Sequence, residues 1–191
     1  STAIKLSLIT SRPLFQPAAE KAGLAWEEVE SLSKCMTLSD LADLISDPEF
    51  FFDSFVSAVE GERACKLAIV RLRSASKRWL KTNKLKWDDV VPALLEVQDV
   101  RRLLRGQANF TRLMADIEEL GGEEKDDALV PAAKRLIIAR CKPSTAAFRT
   151  KENLSWEEVL TALDQAGSLV TLRHVCSHAS TSLPNILAYG R

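Results

Sequence analysis

Apolar residues along this chain return every three to four positions, and nowhere do they alternate with polar ones for the length of a strand. The stretch from Lys66 to Lys81 shows the rule, with Leu67, Val70, Ala75 and Trp79 among its apolar positions and basic residues between them. That period is the α-helical one, and without sustained alternation of β-branched residues no strands are expected. The helix boundaries are marked. Ser155-Trp156-Glu157-Glu158 reads as a capping box, with Ser155 as N-cap and Glu158 at the third helical position. Asp47-Pro48 predicts the start of a helix through Phe51, Phe52, Phe55 and Val59 that ends at Gly61. Other helices are expected after Ser39 and after Asp99, and one through Phe110, Leu113, Met114, Ile117 and Leu120 to Gly121-Gly122.

These elements recur. Three segments, Lys5 to Val29, Lys66 to Val90 and Arg135 to Val159, align without a gap, which is the signature of an internal repeat. Equivalent positions are Lys5/Lys66/Arg135, Leu6/Leu67/Leu136, Leu8/Ile69/Ile138 and Arg12/Arg73/Lys142, continuing with Leu24/Leu85/Leu154, Trp26/Trp87/Trp156 and Val29/Val90/Val159. Only four tryptophans occur in the chain, so three in register outweigh any composition bias. Pro13 and Pro143 are equivalent, with Ser74 between them; a proline there opens a helical turn or breaks a continuous helix. The pattern predicts an all-α fold of one domain, with repeat units of about 1–61, 62–130 and 131–191. Three imperfect copies would stack as a short solenoid or an irregular bundle. Residues 121–130, glycine-led and acidic, read as a linker. The third copy ends early, in SLPNILAYGR, and is expected to lack a full fourth helix.

The run Lys66 to Arg73 (K-L-A-I-x-R-L-R), the acidic tryptophan turn Leu85 to Val90 and Asp47 to Phe51 together resemble tandem helical-repeat proteins of dinoflagellate-type algae. The likeness spans most of the chain in degenerate form. Val-Pro after the acidic pair survives only as Val91-Pro92, and Asp-Pro-Glu only in the first copy. The resemblance implies a repeat architecture and a plastid-bearing source, and it supplies no catalytic residue.

Composition narrows the classes. Of 191 residues 46% are hydrophobic, enough for a packed interior, and the 26 basic and 26 acidic side chains cancel. No global field therefore steers the chain to nucleic acid or to an anionic membrane. No apolar run approaches the roughly 20 residues that span a bilayer. Cys35, Cys65, Cys141 and Cys176 form no CxxC pair, which suggests buried free thiols in a reducing compartment rather than a disulfide framework or a zinc site. The Ser-Thr-Ala start reads as a trimmed mature chain, as removal of a transit peptide would leave; an organelle is expected, a plastid before a mitochondrion.

Candidate chemistry is sparse. The pairs Glu27-Glu28, Asp88-Asp89 and Glu157-Glu158 fall in the first turn of a helix, where the macrodipole favours negative charge by roughly 0.3–1 kcal/mol. Adjacent residues there face different ways, so capping is a better reading than acid–base catalysis. The repeated tryptophans read as core anchors. His174 and His178 share a helical face and are the minority candidates for a metal, haem or pigment magnesium. Cys176 points away from that face, no third ligand is in sight, and no metal or cofactor is expected. No GxSxG, P-loop, GxGxxG or HExxH occurs, so the chain reads as no enzyme.

The strongest local charge feature is basic. No acidic residue occurs between Glu62 and Asp88, a stretch that carries Lys66, Arg71, Arg73, Lys77, Arg78, Lys81, Lys84 and Lys86; Arg101, Arg102 and Arg105 follow. It reads as a solvated helix face balanced by neighbouring acidic helices, or as a surface for an acidic protein face or anionic lipid headgroups. Without aromatic interleaving, nucleic acid is the weaker match. The leading expectation is a non-catalytic scaffold or accessory subunit that bridges subunits of a large complex, such as a photosystem–antenna assembly. The alternative is an organellar RNA-binding helical-repeat protein that uses residues 66–86.

Overall fold

A computed structural model describes residues 2–58, 60–106, 109–165 and 168–189 of the chain, and every regular element among them is helical. The all-α expectation holds. The first copy supplies α1 (Thr2–Thr10), α2 (Arg12–Lys21), α3 (Trp26–Leu32), α4 (Leu38–Ser46) and α5 (Pro48–Ser57). The second supplies α6 (Gly61–Thr82), α7 (Trp87–Leu95), α8 (Val100–Gly106) and α9 (Phe110–Asp116), the last running into a π-turn at Ile117–Gly121. The third supplies a 3-10 turn at Asp127–Leu129, then α10 (Val130–Ser144), α11 (Ala146–Glu152), α12 (Trp156–Gln165), α13 (Leu169–Ser177) and α14 (Ala179–Tyr189).

One junction is built three times. Before each tryptophan helix a single residue takes the left-handed conformation: Gly23 at φ 78, Lys84 at φ 54 and Asn153 at φ 53. The next residue then donates its N–H back over the end of the preceding helix. Leu24 bonds to Ala19 O at 2.9 Å, Leu85 to Leu80 O at 3.0 Å and Leu154 to Arg149 O at 2.9 Å. This is the Schellman closure, which satisfies a carbonyl that the helix end leaves open. Two residues later the new helix starts on Trp26, Trp87 or Trp156. Its third residue caps it: Glu28, Asp89 and Glu158 accept the N–H of Ala25, Lys86 and Ser155 at 2.9, 2.8 and 2.8 Å. Only Ser155 completes the box, its hydroxyl accepting the Glu158 N–H at 3.2 Å. The acidic pairs are thus capping residues through their second member.

Proline decides what precedes the junction. Where Pro13 stands, the chain breaks at Ser11 and α2 starts with the proline in its first turn. Pro143 lies in the last turn of α10, and the helix gives way at Thr145, whose hydroxyl donates to Cys141 O at 2.7 Å. Ser74, at the equivalent point, keeps its N–H, and α6 runs unbroken for 22 residues.

Three expectations need correction, and one equivalence in sequence does not extend to burial. Gly61, at φ 82, opens α6 instead of ending α5, which stops at Ser57; Val59 lies outside the described residues. The helix expected after Ser39 begins earlier, at Leu38, because Thr37 and Asp40 form a reciprocal cap, Asp40 accepting the Thr37 N–H at 2.7 Å. The third copy does have a final helix, α14, and Pro184 sits inside it. Leu6 is exposed although Leu67 and Leu136 are buried.

The chain divides into two compact units, residues 1–76 with 99–110 and residues 77–98 with 111–191. The first is organised on phenylalanines: Phe51 meets Phe52 edge-on at 5.5 Å and stacks on Phe55 at 5.9 Å, and Phe15 of α2 is buried beside them. Lys66 is buried here too, its ammonium 2.5 Å from Asp40 and 2.7 Å from Glu62. Burial opposes its charge, but the hydrogen bonds it donates to the two carboxylates outweigh that and hold its pKa above the ordinary lysine value.

The second unit is built on α10. Ala132, Ala133, Leu136, Ile137, Ile138, Ala139 and Cys141 are all buried, so this helix meets neighbours on almost every face, chiefly α7, α13 and the π-turn. The acidic segment after the π-turn is tightly folded, since a Cβ on Gly121 would lie 2.4 Å from Leu129 O.

The three tryptophans share a position but not a burial. Trp26 and Trp87 are 7% and 8% exposed, while Trp156 is only half-buried and takes the Arg149 guanidinium at 5.4 Å over its ring. Trp87→Ala is expected to destabilise by about 3–5 kcal/mol, the cost of an aromatic lost from a packed core. Trp156→Ala should cost distinctly less. Urea denaturation of both variants checks this; equal losses would contradict it.

Candidate functional site

The basic stretch is not one surface. Lys66 is turned inward to Asp40 and Glu62, which leaves it no role at a partner. Arg73 is also engaged, donating to Glu27 O at 3.1 Å and to the Ser31 hydroxyl. Arg102 pairs with Asp99 at 3.7 Å. Arg71, Arg101 and Arg105 are exposed on the first unit.

What remains is a cluster on the second unit. Lys77, Arg78 and Lys81 lie on one face of the last two turns of α6, with Lys84 and Lys86 in the junction that follows, and all five are exposed. Ser76, Trp79 and Leu80 are buried on the other faces. Among the described residues none of the five cations has an ion-pair partner. Like charges this close repel one another, which costs stability at low salt.

The repeat supplies an internal control. Positions equivalent to Lys77, Arg78, Lys81, Lys84 and Lys86 hold Gln16, Pro17, Glu20, Gly23 and Ala25 in the first copy. In the third they hold Ala146, Ala147, Thr150, Asn153 and Ser155. Not one of these ten is basic, yet both copies close the same junction. Folding therefore does not require the charges. Lys84 makes the point most sharply. It occupies the left-handed position that suits glycine or asparagine, where an ordinary side chain is strained by roughly 1–2 kcal/mol.

His174 and His178 are exposed and their rings stack at 4.8 Å. They line an open groove of about 730 Å³ beside α13 and α14, with Arg173, Ser177, Thr181 and Asn185. Among the described residues no group of three or more histidine, cysteine or acidic side chains is arranged to hold a metal. No described helix is long and apolar enough to cross a membrane.

One association is invisible along the chain. Cys141 and Cys176, 35 residues apart and on different helices, bring their sulfurs within 2.6 Å. The only sequence signal for it is that Cys176 faces away from the two histidines. No protein-family model, curated protein or solved structure matches this chain.

Lys84→Gly is expected to leave stability unchanged or raise it by up to about 1 kcal/mol, relief of the strain being partly offset by the freer unfolded chain. A loss beyond about 1 kcal/mol in urea denaturation would show that the lysine side chain helps hold the junction.

Proposed function

We propose that this protein is a non-catalytic accessory subunit that docks on an acidic protein face within a large assembly, through Lys77, Arg78, Lys81, Lys84 and Lys86. The observation that carries the reading is the within-chain comparison. Five exposed, unpaired cations occupy positions that neither other copy makes basic, one of them in a strained backbone conformation. Exposed cations that the junction does without in the other two copies are best accounted for by a partner that neutralises them.

The partner class follows from charge. The chain is neutral overall, so long-range attraction to a polyanion is weak and contact must be local. Local complementarity suits another protein subunit, with anionic lipid headgroups as a peripheral addition. The algal resemblance supports a plastid assembly, for which a photosystem–antenna complex is the example we favour.

The test is charge reversal. Lys77→Glu, Arg78→Glu and Lys81→Glu together should release the chain from one defined assembly on native gels while its circular dichroism is kept. Glu20 occupies the Lys81 position in the first copy, so acid is compatible with the turn; the helix end should lose about 0.3–1 kcal/mol per reversed charge. Binding of arbitrary single-stranded RNA, with a log–log salt slope near roughly −0.7 per phosphate contacted, would overturn this reading in favour of a nucleic-acid interface.

A further inference from the structure

The two cysteines of the second unit stand apart from the docking surface. Cys141 lies in the last turns of α10 and is fully buried; Cys176 lies near the end of α13 and is partly exposed. The helices pack through Ile137, Ile138, Leu172 and Val175, and this contact fixes the two side chains opposite one another. The placement is reciprocal. Cys141 Sγ is 3.6 Å from Leu172 O, and Cys176 Sγ is 3.3 Å from Ile137 O. Each sulfur thus sits against the carbonyl one helical turn before its partner cysteine. At 2.6 Å the two sulfurs are in direct contact.

We propose that Cys141 and Cys176 are a redox-active dithiol, which hydrogen peroxide converts to a disulfide that staples α10 to α13. A buried thiol in apolar surroundings is ordinarily inert, and Cys35 is an example, its pKa pushed up to about 12 by burial. Burial raises Cys65 as well. Cys176 alone among the four is shifted down: its contact with Cys141, the Arg140 guanidinium and the Ser144 hydroxyl favour its charge against the opposing effects of burial and Glu118. Cys141 is shifted up, by its contact with Cys176 and by burial.

The roles divide accordingly. The Cys176 thiolate, which solvent can reach, attacks one peroxide oxygen; the O–O bond breaks, Cys176 becomes a sulfenic acid, and the departing hydroxide takes a proton to give water. The Cys141 thiol then attacks the Cys176 sulfur, loses its proton, and displaces the sulfenic hydroxyl as a second water. Two thiols and one peroxide give one disulfide and two waters. Two electrons pass from sulfur to oxygen. Full burial of Cys141 makes it the resolving thiol, since no oxidant meets it first.

Peroxide treatment of the purified full chain, followed by peptide mapping without reductant, tests the assignment. Two of the four thiols should disappear, and one cross-linked species joining the Cys141 and Cys176 peptides should form and be reversed by dithiothreitol. The thermal midpoint should rise in the oxidised form and return on reduction. In Cys141→Ser, dimedone should label Cys176, whereas the wild-type chain treated alike should take up little label. The mapping needs no variant, so it stands even if Cys141→Ser folds poorly. Linkage through Cys35 or Cys65, cross-links between chains, or survival of all four thiols under peroxide would overturn the proposal.

Discussion

A left-handed residue that closes one helix and aims the next is the constraint on which the rest of this fold depends. At Gly23, Lys84 and Asn153 the backbone turns over the end of a helix, and the following leucine N–H binds a carbonyl five residues back. The tryptophan two positions further on then becomes the first residue of a new helix, and Val29, Val90 and Val159, a turn later, are completely buried. The second acid of each pair holds the start by accepting the N–H of the residue before the tryptophan. Because the bonds are local, the junction tolerates different arrangements of helix before it: two helices where a proline stands, one unbroken helix where Ser74 does.

That tolerance separates folding from function. Each copy keeps the leucine, the tryptophan, the capping acid and the valine of the junction and varies the residues around them. The first copy sets Arg12 over its own tryptophan at 5.0 Å and the third sets Lys142 over Trp156 at 5.8 Å. In the second copy the equivalent Arg73 instead binds α3, and new cations occupy the outer face of α6. The third copy carries the thiol pair. The position of Cys141 holds Ser11 in the first copy and Leu72 in the second, so the pair belongs to the third copy alone.

The junction is legible in the sequence because its parts lie close together in the chain. The tryptophan, the acid pair, the Ser155 cap and the proline break all act through neighbours, and pattern alone locates them. What depends on distant partners is not legible. Lys66 reads as part of a basic surface because a count along the chain is blind to Asp40, 26 residues away and folded against it. Cys141 and Cys176 read as unrelated for the same reason. Gly61 misleads differently, since a left-handed glycine can precede a helix as well as end one. SLPNILAYGR reads as too short for a full helix, yet α14 runs through it with Pro184 inside, where the missing N–H removes one helical hydrogen bond without ending the helix.

One local junction closes all three copies, and the charge of the middle copy is an addition to it. Exchange of residues 84–88, Lys-Leu-Lys-Trp-Asp, for the sequence of residues 153–157, Asn-Leu-Ser-Trp-Glu, separates the two. Helical circular dichroism should be unchanged and the stability from urea denaturation within about 1 kcal/mol of the original, the range of surface substitutions that respect the fold. Loss of helix content, or destabilisation by more than about 3 kcal/mol, would mean that the junctions are not equivalent and that the repeat does not govern the structure.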